Sequence, residues 1–220
     1  MSADNYKFHV LVRDDSHTDE LSASGVSVVL GDATSEEDIK NFISGVKESG
    51  EIHAILHCVG SFAVRPPHAM NKEAFETVIS TNLTSAFLTL SIAGKAMLSQ
   101  GYGRMVFMSS VAGSLGLVNH EAISAAKGGI ESMVRSAAAT YANRGVRINA
   151  VAPGLTDTKL ASPIMSNETA SQAASQKIPI KRVGQKEEVA NVIKWLLTEA
   201  PENFTGQIIH TDGGMSNVLV

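Results

Sequence analysis

The side chains best equipped for chemistry lie in two short runs, Ser109-Ser110-Val111-Ala112-Gly113 and Glu121-Ala122-Ile123-Ser124-Ala125-Ala126-Lys127. Ser110 offers a hydroxyl and Lys127 a cation, groups that together can polarise a carbonyl. Between them stands Ile123, a hydrocarbon that can neither donate nor accept a proton. His120, three residues before Ile123 in the loop entering the same run, is a titratable candidate near that position. Tyr141 lies fourteen residues beyond Lys127. On a helix that spacing corresponds to roughly 21 Å along the axis. Cys58 is the single cysteine and has no metal-ligand spacing around it. It reads as a buried, inert thiol. No metal site is expected.

The elements that must position these groups alternate between strand and helix patterns. Strand candidates are Lys7–Val12, Val26–Leu30, His53–Cys58, Arg104–Met108, Val146–Val151 and Gln207–His210. A short polar helix is expected near Thr18–Ala23. The run from Asp32 to Glu37 reads as a helix start with acidic residues in its first turn, continuing through Ile39, Phe42, Ile43 and Val46. Longer helices are expected around Glu73–Met97 and from Ala122 to about Asn143, and a last one at Lys186–Leu197. The stretch Lys159–Gln176, rich in Ala, Ser and Thr, reads as a mobile loop. Strands that are apolar on both faces and alternate with helices argue for an α/β fold, a parallel sheet covered on each side.

The chain has 220 residues, of which 44% are apolar and 18% charged. That size and balance fit one domain spanning residues 1–220, without repeats or linkers. The formal net charge is −4 and the basic residues are dispersed. Such a distribution argues against a nucleic-acid partner. One cysteine excludes an internal disulfide framework. No apolar run reaches the roughly 18 residues of a membrane span, and Met1–Asn5 lacks a signal-peptide pattern. The expectation is a cytoplasmic protein with no membrane partner.

Several landmarks, in order from Lys7 to Gly214, resemble the short-chain dehydrogenase/reductase family, most of all its 3-oxoacyl-acyl-carrier-protein reductases. The fold implied is a Rossmann-like doubly wound parallel sheet. Asp32-Ala33 resembles the pair placed beside the adenine ring, though Asp32 also suits a helix N-cap. His57-Cys58-Val59-Gly60 stands where the family has Asn-Asn-Ala-Gly, so Cys58, Val59 and Gly60 would line the cofactor. Asn82 resembles the family's helical asparagine. Ser110, rather than Ser109, matches the catalytic serine, and Lys127 matches the lysine that bridges the nicotinamide-ribose hydroxyls. Pro153, Gly154, Leu155, Thr156 and Thr158 resemble the segment that grips the nicotinamide amide. Phe204-Thr205-Gly206-Gln207 and Thr211-Asp212-Gly213-Gly214 resemble the closing strand and turn.

Two departures accompany these matches. Ile123 occupies the position of the family's proton-donating tyrosine. The front of the chain carries no Thr-Gly-x-x-x-Gly-x-Gly turn. Such a turn binds a pyrophosphate at a helix N-terminus. The first strand candidate, ending in Val12-Arg13-Asp14, therefore matches the family's second strand, and the family's first strand and helix are missing. Either the sheet has a gap or the flanking strands close against each other. Arg13 suits the 2′-phosphate of NADP. The resemblance implies a carbonyl/alcohol oxidoreductase linked to NADP(H) more than NAD(H), with weakened cofactor binding and little or no turnover. The alternative is a non-catalytic structural or regulatory subunit. The resemblance also implies a homo-oligomer, dimer or tetramer, and a small-molecule carbonyl or alcohol substrate.

Overall fold

The structure is a computed structural model describing residues 6–16 and 18–219. Its centre is a parallel four-stranded sheet, β3 (Ala54–His57), β4 (Gly103–Met108), β5 (Val146–Pro153) and β8 (Ile208–Thr211), in that spatial order. Alternation along β4 divides the core between its faces. Met105 and Phe107 point into a cluster with Leu90, Met97, Ile130, Val134 and Ile148, and Val106 points the other way, towards Val189, Ile193 and Leu196. Both faces are thus covered by helices, as the pattern of doubly apolar strands requires. On the first face lie α2 (Glu36–Glu48), α4 (Ser85–Gln100) and α5 (Glu121–Tyr141), and on the second α8 (Lys186–Thr198).

The remaining long strands, β1 (His9–Val12) and β2 (Ser27–Leu30), joined by the short helix α1 (Thr18–Ala23), form a separate parallel pair. The doubly wound sheet expected from the sequence is therefore interrupted: β1 pairs with β2 and β3 with β4, and no ladder joins β1 to β3. Of the two outcomes left open by the sequence, the gap is the one observed. With no strand between these edges, the pair is held from above instead. Leu11 of β1 and Ile55 of β3 pack into the same cluster as Ile39 and Ile43 of α2.

Local chemistry explains the helix boundaries. Ser35, not Asp32, caps α2, its hydroxyl accepting from the Asp38 amide at 3.2 Å. An accepting side chain at that position satisfies one of the otherwise orphaned first-turn amides. Asn71 caps α3 (Lys72–Ile79) by accepting from the Ala74 amide at 2.9 Å. The single long helix expected here is α3 and α4 joined by a π-helical turn, Ser80–Thr84. The combined run Lys72–Gln100 is long and apolar enough, by length and composition, to cross a membrane. A helix buried in a protein core passes the same test. Its apolarity is explained by packing, since Ala86, Leu90, Ala93 and Met97 are buried in the core.

The stretch expected to be a mobile loop is largely helical. Between β6 (Thr156–Asp157) and β7 (Gly184–Gln185), which pair in a short ladder, come α6 (Ser162–Met165) and α7 (Glu168–Gln176). Asn167 caps α7 by accepting from the Ala170 amide. Alanine is the best helix former, and a good cap suffices to start a helix that buries little.

Candidate active site

The candidate residues collect where β3, β4 and β5 end. That crevice is the place at which parallel α/β sheets hold ligands. After β3, the chain turns at Gly60 in a tight space. A Cβ on Gly60 would lie 3.1 Å from Asn82 Oδ1 and 3.5 Å from Lys127 Nζ. This glycine therefore brings the backbone close to both groups. Asn82, wholly buried, sits in the π turn. It donates to Val78 O at 3.0 Å and to Ser61 Oγ at 2.8 Å. Its Oδ1 accepts from the Ser61 amide at 3.1 Å. Asn82 thus ties the loop after β3 to the helix, a use often found for π turns. Ser61, which the sequence reading passed over, is its partner; its place directly after Gly60 is the only signal that marked it.

Lys127 is buried at 7% exposure, and its Nζ donates to Met108 O at 2.8 Å. Burial pushes its pKa down to about 8, with Cys58 nearby opposing the shift. The cause is the cost of keeping a charge away from water. The same desolvation pulls His57 down to about 4, and the charge of Lys127 adds to it. Ser85 Oγ donates to Thr81 O, so the network assigns the proton of His57 to Nε2, which donates to Ser85 Oγ at 3.0 Å. His57 Nδ1 is then a buried acceptor with no partner among the described residues.

Cys58 corrects the sequence reading, because it is exposed rather than buried. Alternation along the strand explains the difference: His57 turns into the core, whereas Leu56 and Cys58 face the other way. Crowding by the surrounding chain still raises its thiol to about 11, with Lys127 opposing. Val59 beside it is half-buried.

At the end of β4 the two serines part company. Ser109 is buried and donates to Glu131 Oε1 at 2.9 Å. Ser110 is half-buried, and its Oγ accepts from the Ala112 amide at 3.2 Å, capping the 3-10 turn Val111–Gly113. The hydroxyl proton of Ser110 is left for another acceptor. Ile123, 7% exposed, lies in an apolar cluster with Val78, Ala112, Ala122 and Ala126. His120 lies three residues before Ile123. It stands before α5 with Nδ1 donating to Val118 O at 2.7 Å. Tyr141, at the far end of α5, places its hydroxyl against Gly94 of α4.

After β5, the Gly154 amide donates to Thr211 O at 3.2 Å, and Leu155 O accepts from the Gly184 amide at 2.9 Å. Thr156 Oγ1 donates to Gly154 O at 3.1 Å, and Thr158 caps the next turn by accepting from the Ala161 amide. Pro153, Gly154, Leu155, Thr156 and Thr158 thus form a braced, partly exposed edge. Arg13 and Asp32 meet at the ends of β1 and β2. Asp32 accepts from the Thr34 amide and hydroxyl, both at 2.8 Å. These bonds, with a smaller contribution from Arg13, hold its carboxyl below the usual range. Ala33 packs against the core instead of standing free. These three residues belong to the β1–β2 pair and the others to the four-stranded sheet, so the site is divided between two sheets.

The second set, where the Gly60 backbone comes close to Lys127 and Asn82, is the one that would hold a nicotinamide ribose. Among the described residues no glycine-rich turn of the pattern that cradles a pyrophosphate is present. Among the described residues no cluster of His, Cys, Asp or Glu fits a metal ion.

Comparison with known proteins agrees with this architecture. A family model described as enoyl-(acyl carrier protein) reductase matches residues 6–216. The 3-oxoacyl-[acyl-carrier-protein] reductase MabA of Mycobacterium tuberculosis is 34% identical over 98% of this chain and 85% of its own length. The cis-4-hydroxycyclohexanecarboxylate dehydrogenase of Sinomonas cyclohexanicum is 35% identical over 86% of this chain and 76% of its own length. Among solved structures, a putative gluconate dehydrogenase from Agrobacterium tumefaciens superposes with a TM-score of 0.90 at 29% identity, over 96% of this chain and 86% of that one. An actinorhodin polyketide ketoreductase with NADPH gives 0.89 at 26% identity, over 96% and 87%.

Proposed function

Since the chain belongs to the short-chain dehydrogenase/reductase family, close to its 3-oxoacyl-acyl-carrier-protein reductases, we propose that it is an NADP(H)-linked carbonyl/alcohol oxidoreductase scaffold whose turnover is slow or absent. The observation that carries this reading is Ile123, sealed in an apolar cluster four residues before Lys127. A bound nicotinamide would supply or accept hydride; the protein's own part is to bind the carbonyl and manage the proton. Ser110 has a hydroxyl proton available for a carbonyl oxygen, and Lys127 can hold ribose hydroxyls. Ile123 delivers no proton, and loss of a positioned general acid costs about 10²–10⁴ in rate. The preference for NADP rests on Arg13 and on the NADPH carried by the ketoreductase relative. Weak dinucleotide binding is supported by the division of the site between two sheets.

The test is reduction of an acetoacetyl thioester with NADPH by the purified chain and by Ile123→Tyr. Both are expected far below ordinary enzyme rates, because a restored phenol still lacks a firmly held cofactor. Turnover at ordinary rates by the unmodified chain would refute the proposal. A second reading is a non-catalytic subunit of a homo- or hetero-oligomer. It is favoured by Phe87, 56% exposed on the outer face of α4. Sedimentation of the chain with and without Phe87→Asp separates a monomer from a dimer or tetramer built on that face.

A further inference from the structure

Beneath the site lies a buried carboxylate that none of the steps above uses. Glu131 is 6% exposed on α5, one helical turn beyond Lys127, and joins no ion pair among the described residues. An ionised carboxylate is costly to bury unless hydrogen bonds satisfy it. Here they come from two serines at the ends of one loop. Ser109 Oγ donates to Oε1 at 2.9 Å, and Ser114 Oγ lies 2.9 Å from Oε1 and 3.0 Å from Oε2. Between those anchors run Ser110 and the 3-10 turn that Ser110 itself caps. Gly113 completes the fit, since a Cβ there would lie 2.6 Å from Glu131 Oε1 and 2.9 Å from Ser109 Oγ. Outside the loop, Ser114 Oγ also meets His210 Nε2 at 3.1 Å. His210 belongs to β8, whose next residue accepts from the Gly154 amide. One carboxylate therefore connects the loop after β4, the helix bearing Lys127 and, through His210, the strand that braces the loop after β5.

We propose that Glu131 is the positioning residue of the site, holding Ser110 at the carbonyl by fixing both ends of its loop through Ser109 and Ser114. The proposal rests on the reading of Ser110 as the carbonyl-binding hydroxyl. A residue that acts only on general stability would weaken ligand binding independently of Ser110. A positioning residue acts through Ser110, so its effect vanishes once that hydroxyl is gone.

The experiment is a double-mutant cycle of Ser110→Ala and Glu131→Ala, with binding of an acetoacetyl thioester followed by saturation-transfer NMR and folding by circular dichroism. Each single variant is expected to weaken binding about tenfold, the worth of one hydrogen bond. The double variant should be no weaker than Ser110→Ala. Glu131→Gln, whose amide oxygen still accepts a hydrogen bond, should retain most of the affinity. If Glu131→Ala binds normally while Ser110→Ala does not, or if the losses add, the positioning role is overturned and the reading of Ser110 stands. If Ser110→Ala binds normally, or the unmodified chain takes no ketone, the reading of the site fails and the proposal falls with it. Should Glu131→Ala not fold, Ser114→Ala removes one anchor from an exposed position. An unchanged affinity in that variant would also overturn the role.

Discussion

Two parallel sheets of this molecule, the four-stranded one and the β1–β2 pair, are built from similar residues and end in very different environments. In β4, Met105, Val106 and Phe107 are at most 1% exposed, whereas Val29 and Leu30 of β2 are 40% and 61% exposed. Composition does not explain the contrast, since both strands are runs of large apolar residues. Neighbours do: β4 lies between β3 and β5 with helices above and below, and the β1–β2 pair has one flanking helix layer and an unpaired inner edge. The nicotinamide side of the candidate site thus stands on a well-supported sheet, and the Arg13–Asp32 side on a lightly supported one. A dinucleotide in a doubly wound sheet lies across both sides of the crevice.

The largest effect expected from this comparison is a difference between equivalent truncations. Phe107→Ala should destabilise the fold by about 3–5 kcal/mol in urea denaturation, and Leu30→Ala by no more than about 0.5 kcal/mol. Equal losses would break the contrast between the sheets.

Next comes pH, which probes the inner edge at β3. His57 has a folded pKa of about 4 against an ordinary 6.5. The unfolded chain therefore binds more protons between those values. Stability is complete above about 6.5 and falls as pH drops towards 4, by on the order of 3 kcal/mol. His57→Asn should flatten that window in denaturation measured at several pH values. Glu188, held down to about 2 by Arg182 and then by the Gln185 amide, loses its contribution at lower pH, between 4.5 and about 2. The two windows are separable.

The smallest effect concerns the helix that holds the β1–β2 pair in place. Ser35 caps α2 through the Asp38 amide. Ser35→Ala removes that cap and should cost about 1 kcal/mol. Amide exchange in β1 and β2 should rise more than in β4 and β5, because the larger sheet is also covered by α4 and α5.

Most of the elements were legible because burial leaves a period in the sequence. The α5 stripe of Ala122, Ile123, Ala126, Ile130 and Val134 repeats at helical spacing, and every one of those residues is buried. The doubly apolar run at Arg104–Met108 is a central parallel strand for the same reason. Features that depend on distant partners left no such trace. The π turn at Asn82 follows from its bonds to Ser61, twenty-one residues away. Cys58 looked like a core residue by type and is exposed by its place just past a strand end. Lys159–Gln176 looked mobile because small polar residues carry little periodic signal, yet alanines and an Asn cap were enough for helix.

What residue type settles, the sequence determined alone. An isoleucine at position 123 has no proton to give, and residues 1–220 contain no Thr-Gly-x-x-x-Gly-x-Gly turn of the kind that cradles a pyrophosphate. Tertiary structure decided whether anything stands in for them. It turned His120 onto Val118 O, set Tyr141 against Gly94, gave Ser109 to Glu131 and left the Ser110 proton available. The physical reason is that bonding capacity belongs to a residue, while the partner that uses it is chosen by packing between elements far apart in the chain.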